Sequence, residues 1–501
     1  MGYAEVRAVA LVGMVGQVVI VESDVADGLP TVIFSGLPDT ALSQSRDRVR
    51  AAVVNSGESW PQRRITVNLR PANLPKHGSS FDLAVAVSML AACGTLPLDP
   101  LRDTVILGEL GLDGAVRPVR GVLPAVLAAM RAGLRYAVVP AGNALEARLI
   151  PGIVVKATDT LRRLIDFLRS GGPLLDPEEP AAAVPPAGPD LSHVLGQERG
   201  RRAIELAAAG GHNVALFGPP GAGKTMLAQR LPTVLPALDD EAALEVTAVH
   251  SLAGALPSGS PLMRRPPFQA PHHTTSVAAL IGGGSGVPRP GTVSLAHRGV
   301  LFMDEAPEFA VAALEALRQP LEDGLVRINR ARAQTVYPAR IQLVLAANPC
   351  PCAKPGGDHL CECPPLRRRR YLSRLSGPLL DRVDLRVMLH AVRVSALLDD
   401  VTGEPSTAVA ARVAAARAAA QSRWGSSNAA VHDQVLRGSR FRLPGVVTKP
   451  LVRESDLGLL SARGFQRTVR VAWTMADLDG RTVPDAGDVG EAVELRRGTP
   501  R

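Results

Sequence analysis

Short apolar runs alternate with helix-like segments over the first 170 residues. Five runs have the length and β-branched content of strands, and two longer segments repeat apolar positions with helical spacing. The predicted strands are 18–21, 31–34, 65–69, 105–107 and 136–139, and the predicted helices are 81–92 and 123–132. Residues 6–22 predict a β-hairpin rather than a signal peptide, because Gly13, Gly16 and Gln17 interrupt the apolar run. The pattern predicts an α/β or α+β domain over residues 1–170.

A proline-rich stretch, 171–189, has no periodic apolar face and predicts a linker. Beyond it, three apolar runs are typical of buried parallel strands, and two later segments are helix-like. The predicted strands are 213–217, 299–305 and 341–348, and the predicted helices lie at 408–420 and from Phe465 onward. The predicted organisation is therefore a domain over 1–170, a linker over 171–189, an α/β core over 190–391 and a mostly helical lid over 392–501.

A phosphate-loop motif, G-x-x-x-x-G-K-[ST], lies between the first core strand and a helix-like segment. Its residues are Gly218, Pro219, Pro220, Gly221, Ala222, Gly223, Lys224 and Thr225. Such a loop opens a helix whose N-terminal amides favour phosphate. Lys224 is expected to reach the β and γ oxygens of a nucleoside triphosphate, and the Thr225 hydroxyl to bind Mg²⁺. The sequence therefore predicts an ATP and Mg²⁺ site.

Two adjacent carboxylates, Asp304 and Glu305, end the second core strand. Paired with a phosphate loop, they have the character of a Walker B element. We expect Asp304 to hold Mg²⁺ and Glu305 to polarise the attacking water. The third core strand ends in a polar amide, Asn348, which resembles the sensor-1 position of P-loop ATPases. That resemblance implies that Asn348 orients the water or senses the γ-phosphate, and a simple turn former before Pro349 is the alternative.

Four cysteines lie within fourteen residues, at Cys350, Cys352, Cys361 and Cys363. Four thiolates can close a tetrahedral zinc site. The C-x-C spacing is tighter than usual and His359 is a rival ligand, so free or redox-active thiols remain the alternative.

Three polar or basic features accompany these motifs. For the paired His272 and His273, a turn-capping or pore-facing role is favoured over a metal site. Residues 325–337 predict a hairpin with Arg330 and Arg332 at its turn, which can contact a phosphodiester backbone or remain solvated. Four consecutive arginines, 367–370, offer a further DNA contact or a solvated surface.

Composition fits a multidomain globular protein with a nucleic-acid partner. The chain has 501 residues and a net charge of +9, and its pI is near 9.8. Most of the positive charge is arginine, which suits bidentate phosphate contacts. No apolar run reaches the roughly 18 residues that a membrane-spanning helix needs. We expect a soluble, cytoplasmic protein.

The ordered motifs resemble the ComM/YifB subfamily of the magnesium-chelatase D/I family over nearly the whole chain. Segments 76–84 and 107–121 resemble its N-terminal domain, which is similar to the Lon protease catalytic fold. Segment 190–198 resembles the strip before the first helix of AAA+ ATPases, where adenine would bind. Segment 268–286 resembles the helix-2 insert of this branch and is expected to reach a ring pore rather than the core. The resemblance implies a Lon-protease-like α+β domain, a P-loop AAA+ core with a parallel sheet, and a helical lid.

The resemblance also implies residue roles and an activity. Asn348 would be sensor 1, Arg382 the arginine finger with Arg374 as its rival, and Arg470 sensor 2 with Arg467 as its rival. The family likeness implies a homo-hexameric ATPase ring that moves branched or single-stranded DNA during recombination or transformation.

Two alternatives stay open. One is a chelatase motor subunit that drives Mg²⁺ into a porphyrin. The other is a Lon-like peptidase, for which Ser79 or Ser80 would be the nucleophile. The segment corresponding to the activating lysine reads Gly-Val-Leu-Pro-Ala over 121–125, so these serines are expected to cap a helix instead.

Overall fold

The computed structural model describes residues 2–35, 45–74, 76, 78–176, 188–256, 262–284, 288–330, 333–354, 361–391 and 403–498, with backbone only at positions 330 and 333. The described residues form a seven-stranded sheet, a five-stranded parallel sheet and a C-terminal group of helices. The predicted fold class is confirmed.

The N-terminal part is built on a long antiparallel hairpin. Its strands are β1 (Gly2–Val12), β2 (Val15–Ala26), β3 (Thr31–Ser35), β4 (Arg64–Arg70), β5 (Thr104–Ile106), β6 (Glu109–Leu110), β7 (Val116–Arg117), β8 (Tyr136–Pro140) and β9 (Val154–Thr158). Its helices are α1 (Ser45–Asn55), α2 (Asp82–Ala92), α3 (Val122–Arg131), α4 (Ala144–Ala147) and α5 (Leu161–Ser170). The main sheet has the order β3-β4-β2-β1-β5-β8-β9, and β6 and β7 form a separate two-stranded ribbon. The predicted hairpin over 6–22 is present as β1 and β2, which pair antiparallel around Gly13.

The helix cap predicted at Ser79 or Ser80 is wrong. The residue at the N-cap of α2 is Phe81, and its side chain makes no capping hydrogen bond. The Ser79 hydroxyl instead donates to the Glu109 carboxylate. A hydrogen bond to β6 thus holds the turn before α2.

The core has a five-stranded parallel sheet with the order β11-β14-β17-β10-β18. Its strands are β10 (Val214–Phe217), β11 (Phe268–Gln269), β12 (Gly282–Gly283), β13 (Arg289–Pro290), β14 (Val300–Met303), β15 (Leu325–Arg330), β16 (Ala333–Pro338), β17 (Gln342–Ala347) and β18 (Leu385–Met388). Its helices are α6 (Glu198–Gly210), α7 (Lys224–Val234), α8 (Asp240–Ala253), α9 (Val277–Ile281), α10 (Thr292–Leu295), α11 (Val311–Ala316), α12 (Arg318–Asp323), α13 (Pro365–Leu372) and α14 (Gly377–Leu380). Strands β10, β14 and β17 are buried along their length, as their continuous apolar sequences predict. Because the strands are parallel, the residues that follow their carboxyl ends meet at one edge.

The C-terminal part is helical, as predicted. Its helices are α15 (Ser406–Trp424), α16 (Asp433–Arg437), α17 (Gly445–Asp456), α18 (Ala462–Leu478) and α19 (Ala486–Arg497). Trp424 and Trp473 meet edge to face at 5.1 Å, and the Arg423 guanidinium lies within 4.6 Å of both ring centroids. These contacts fix α15 against α18.

The insert over 268–286 is not wholly outside the core. Leu280 on α9 is completely buried in the apolar cluster that contains Leu301 and Leu314. The glycines after α9 supply a short ribbon, β12 with β13, rather than an unanchored loop. The expectation that this segment lies outside the core is therefore wrong at Leu280.

The N-terminal part packs on the core, and its contacts include the start of α3 and the tip of the β1–β2 hairpin. The Gly121 amide before α3 donates to the Ser251 carbonyl on α8 at 3.2 Å. The tip of the β1–β2 hairpin abuts β16, since a Cβ on Gly13 would lie 2.8 Å from the Thr335 methyl group. Met14, next in the hairpin, packs against the core cluster. The hairpin tip thus braces the β15–β16 hairpin.

Candidate nucleotide site

The phosphate loop follows β10 and opens helix α7. Gly221 and Gly223 have φ values of 78° and 82°, and a Cβ at either would meet no atom within 4 Å. These left-handed conformations favour glycine and let the backbone curl ahead of the helix. Gly218 is required for a second reason, since its Cβ would lie 2.7 Å from the Leu389 carbonyl oxygen. The loop has the concave backbone that phosphate binding needs.

Lys224 lies inside this loop and contacts the third core strand. Its Nζ donates to the carbonyls of Gly218 at 2.7 Å and Pro219 at 2.9 Å, and to Asn348 Oδ1 at 2.9 Å. Burial lowers the pKa of Lys224, and the carboxylates of Asp304 and Glu305 oppose that shift. The structure therefore brings Lys224 and Asn348 together, as expected from the adjacency of β10 and β17.

Thr225 and Asp304 form the oxygen pair that Mg²⁺ would use. The Thr225 hydroxyl donates to Asp304 Oδ2 at 2.8 Å, and the Glu305 amide donates to Asp304 Oδ1 at 2.9 Å. One hydroxyl and one carboxylate beside a phosphate loop are the ligands that Mg²⁺ prefers together with phosphate oxygens. The residues present thus fit the metal and the nucleotide.

Glu305 has an unusual backbone and a neighbour that the sequence did not reveal. Its φ of 49° is left-handed, which a non-glycine residue rarely adopts. His273 Nδ1 lies 3.6 Å from Glu305 Oε2, and the His272 ring packs on His273 at 4.1 Å between centroids. The insert thus places an imidazole on the predicted water-polarising carboxylate. One feature of the sequence could have indicated this contact: His272 and His273 follow soon after β11, and β11 pairs with β14, the strand that leads to Glu305.

The candidate arginine fingers differ in exposure. Arg382 is 7% exposed; its guanidinium contacts Glu322 and donates to the Pro378 carbonyl at 2.8 Å. The Arg374 side chain is 39% exposed and lies 3.7 Å from Glu308. Arg463, absent from the sequence predictions, lies 3.5 Å from the other oxygen of Glu322. The Glu322 carboxylate therefore contacts two arginines, Arg382 and Arg463.

The candidate sensor-2 arginines are both bound by carboxylates. The Arg470 guanidinium contacts Asp433 and the Val431 carbonyl, all within the lid. Arg467 donates to Asp384 at 2.7 Å, which ties α18 to the start of β18. These contacts stabilise the lid; a nucleotide-sensing role for either arginine stays a prediction.

A cavity of about 440 Å³ lies between the strip after Asp190 and the start of α15. Its walls include Leu191 and Val194 on one side and Val409 on the other. Asp190 accepts hydrogen bonds from the Ser192 and Ser406 amides and so joins the strip to the lid. This is the strip expected to contact adenine.

The four predicted zinc ligands converge. Their sulfur atoms all lie within 4.8 Å of one another, which fits a single metal ion. Burial raises the pKa of Cys350 to about 12, whereas the hydrogen bond from Cys350 lowers that of Cys352 to about 7. Of these two thiols, Cys352 is therefore the nearer to the thiolate form that binds metal. His359 lies outside the described residues.

The predicted DNA contacts are described only in part. The β15–β16 hairpin is present, but the Arg330 side chain and all of Arg332 lie outside the described residues. The arginine run 367–370 lies on α13, directly after the cysteines, and is largely exposed. No helix in the described ranges is long and apolar enough to cross a membrane.

Comparison with known protein families matches three successive parts of the chain. Residues 190–397 match the magnesium chelatase subunit ChlI model, residues 21–143 match a second model for subunit ChlI of Mg-chelatase, and residues 403–496 match the ChlI C-terminal model. The first of these contains the phosphate loop, Asp304, Glu305 and Asn348.

Similar proteins extend over the full length. A Mycobacterium tuberculosis protein is 53% identical over 98% of both chains. YifB of Escherichia coli is 41% identical over 99% of this chain and 97% of its own. Competence protein ComM of Haemophilus influenzae is 39% identical over 99% of this chain and 98% of its own. Lon protease 2 of Herpetosiphon aurantiacus is 30% identical over 147 residues, which is 28% of this chain and 18% of that protein.

Proposed function

The chain belongs to the magnesium-chelatase ChlI family, in the group that contains YifB and ComM, and from this premise we propose that it is an ATP-hydrolysing ring motor that acts on DNA. The family is one of AAA+ motors and implies ATP and Mg²⁺. The task on DNA is proposed as branch migration or helicase-like translocation in recombination or transformation.

One observation carries the ATPase. The phosphate-loop residues Lys224 and Thr225 contact Asn348 and Asp304, so that residues far apart in sequence converge at the carboxyl edge of the sheet. In the proposed mechanism, Lys224 would neutralise phosphate charge, and Thr225 and Asp304 would hold Mg²⁺. Glu305 would polarise the attacking water, and Asn348 would orient that water.

The proposed role of the arginines requires a ring of subunits. Arg382 would contribute to hydrolysis at a neighbouring subunit's site, which requires its release from Glu322. Arg374 is the more exposed rival. Arg470 and Arg467 would act from the lid. A homo-hexamer is the proposed assembly.

Charge and location support DNA as the partner. The net charge is +9, and both the β15–β16 hairpin and α13 carry arginines that can contact phosphates. The Haemophilus influenzae relative is named as a competence protein.

A DNA-binding titration tests this proposal. Fork, Holliday and linear substrates would be titrated with the full chain, with and without a non-hydrolysable ATP analogue. The proposal expects tighter binding to branched DNA in the presence of the analogue. A chelatase motor instead would bind none of the substrates above background and would respond to a porphyrin-loaded partner.

A further inference from the structure

We propose that the cluster of Cys350, Cys352, Cys361 and Cys363 is a zinc site that holds the phosphate loop in its binding conformation. Its zinc occupancy would therefore set the affinity for MgATP. This inference rests on the proposed ATPase function and adds a metal dependence to the nucleotide site itself.

The four sulfurs lie within 4.8 Å of one another, close enough to share one zinc ion. With Zn–S bonds of about 2.3 Å, a tetrahedral site separates its sulfurs by about 3.8 Å. Cys352 Sγ lies 3.6 Å from Cys361 Sγ, close to that separation. It lies 2.8 Å from Cys350 Sγ, so this pair must move apart by about 1 Å to bind the ion. Both distances are well above the roughly 2.05 Å of a disulfide. Soft thiolates select zinc, whereas Mg²⁺ takes oxygen ligands, so this site is chemically separate from the Thr225–Asp304 pair.

The cluster faces the phosphate loop across a small cavity. This cavity is lined on one side by Pro219 and Pro220 and on the other by Cys350, Cys352 and Cys361. The Pro219 carbonyl accepts a hydrogen bond from Lys224 at 2.9 Å. Pro219 therefore both lines the cavity beside the cysteines and accepts a hydrogen bond from Lys224.

The cluster is also continuous with the sensor strand. Cys350 stands two residues after Asn348 and is 3% exposed. Strand β17 is joined to the loop by the Gly218 amide, which donates to the Ala347 carbonyl at 3.2 Å. A shift of Cys350 would thus move Asn348, which accepts from Lys224.

Zinc would add a second restraint to the exposed Lys354–Glu362 ion pair of 2.9 Å, which already joins the two cysteine segments. Its ligands come from two segments, 350–352 and 361–363, and the metal would link them at the point where they meet the loop. Preorganised side chains bind a ligand without a further ordering cost. Loss of the metal is therefore expected to weaken nucleotide binding by about tenfold, which corresponds to about 1.4 kcal/mol.

The test uses the full chain and nucleotide binding without turnover. Zinc would be measured by elemental analysis, and affinity by titration with a fluorescent non-hydrolysable ATP analogue in excess Mg²⁺. Cys361→Ser removes one ligand. Cys93→Ser is the matched control, since Cys93 is exposed and lies outside the cluster. A second arm removes zinc from the parent with a zinc-selective chelator and then restores it.

We expect about one zinc per chain in the parent and in Cys93→Ser. Cys361→Ser should lose zinc and bind the analogue about tenfold more weakly, and the chelated parent should weaken likewise and recover with zinc. Zinc-free parent protein that binds the analogue, or unchanged affinity after verified zinc loss, would overturn the inference. If Cys361→Ser fails to fold, the chelation arm decides. A zinc-loaded parent that does not bind the analogue contradicts the proposed ATPase instead.

Discussion

Lys224 and Asn348 are joined by a hydrogen bond of 2.9 Å between Nζ and Oδ1, although 124 positions separate them in the chain. The contact exists because β10 and β17 are neighbours in the parallel sheet. It places Lys224 of the predicted phosphate loop and the predicted sensor at one point, so substitutions at either should affect the nucleotide site.

Lys224→Ala should lose nucleotide affinity by at least about tenfold, because a point charge on the β and γ phosphates disappears. Isothermal titration with the non-hydrolysable analogue measures this. Lys449→Ala, at an exposed position on α17, is the matched control and should bind as the parent does. Equal affinity of Lys224→Ala and parent would refute the phosphate-loop role.

Glu305→Gln should bind ATP but not turn it over, because the carboxylate predicted to polarise the water is lost. Arg382→Ala should also bind ATP without turning it over if its guanidinium acts in a neighbour's site. Each rate should fall by at least about a hundredfold. Mixing the two variants should restore part of the turnover, because one composite site regains both groups. Arg374→Ala provides the comparison. Lack of rescue in rings shown to mix would contradict the role of Arg382 in a neighbour's site. If Glu305→Gln rescues only Arg374→Ala, Arg374 is the arginine finger instead.

His273→Ala should lower kcat several-fold and leave KM nearly unchanged. The imidazole lies 3.6 Å from the Glu305 carboxylate and is expected to position that group rather than to bind the nucleotide. His432→Ala, a change at the N-cap of α16 in the lid, is a control. A rise in KM with constant kcat would show that His273 does not act through Glu305.

Glu146 should make stability depend on pH. Burial raises its pKa to about 7, against hydrogen bonds from Asn143 and from Ser251 on α8. A carboxyl with a raised folded pKa binds more protons when folded, so its effect is a loss of stability as pH rises from about 4.5 to about 7. Glu146→Gln should remove this loss and gain at most about 3 kcal/mol at pH 8. Unfolding midpoints of parent and variant at pH 5 and pH 8 check this; parallel pH profiles would contradict it.

Local sequence patterns predicted much of the fold and the nucleotide site. The loop glycines, the Asp304–Glu305 pair and the strands that carry them are contiguous signals, because a buried parallel strand and the turn after it are written in one short stretch. The predicted hairpin over 6–22 also follows from local spacing.

Contacts between distant segments could not be predicted in this way. The approach of His273 to Glu305 depends on how the insert folds back over β14, and Leu280 anchors that insert through tertiary packing. The Glu322 contacts of Arg382 and Arg463 join helices α12 and α18 to the turn after α14. The position of the cysteines across a small cavity from Pro219 and Pro220 likewise arises only in the folded chain.

The most direct test of the central claim is steady-state ATP turnover at low salt, with and without fork, Holliday and linear DNA. We expect DNA to stimulate turnover, most strongly for branched substrates, with an effect that falls steeply as salt rises. Arg330→Ala combined with Arg332→Ala should reduce the stimulation and flatten its salt dependence while basal turnover stays near that of the parent. Turnover that is unaffected by all three DNA substrates would contradict the proposal that this chain is a DNA motor.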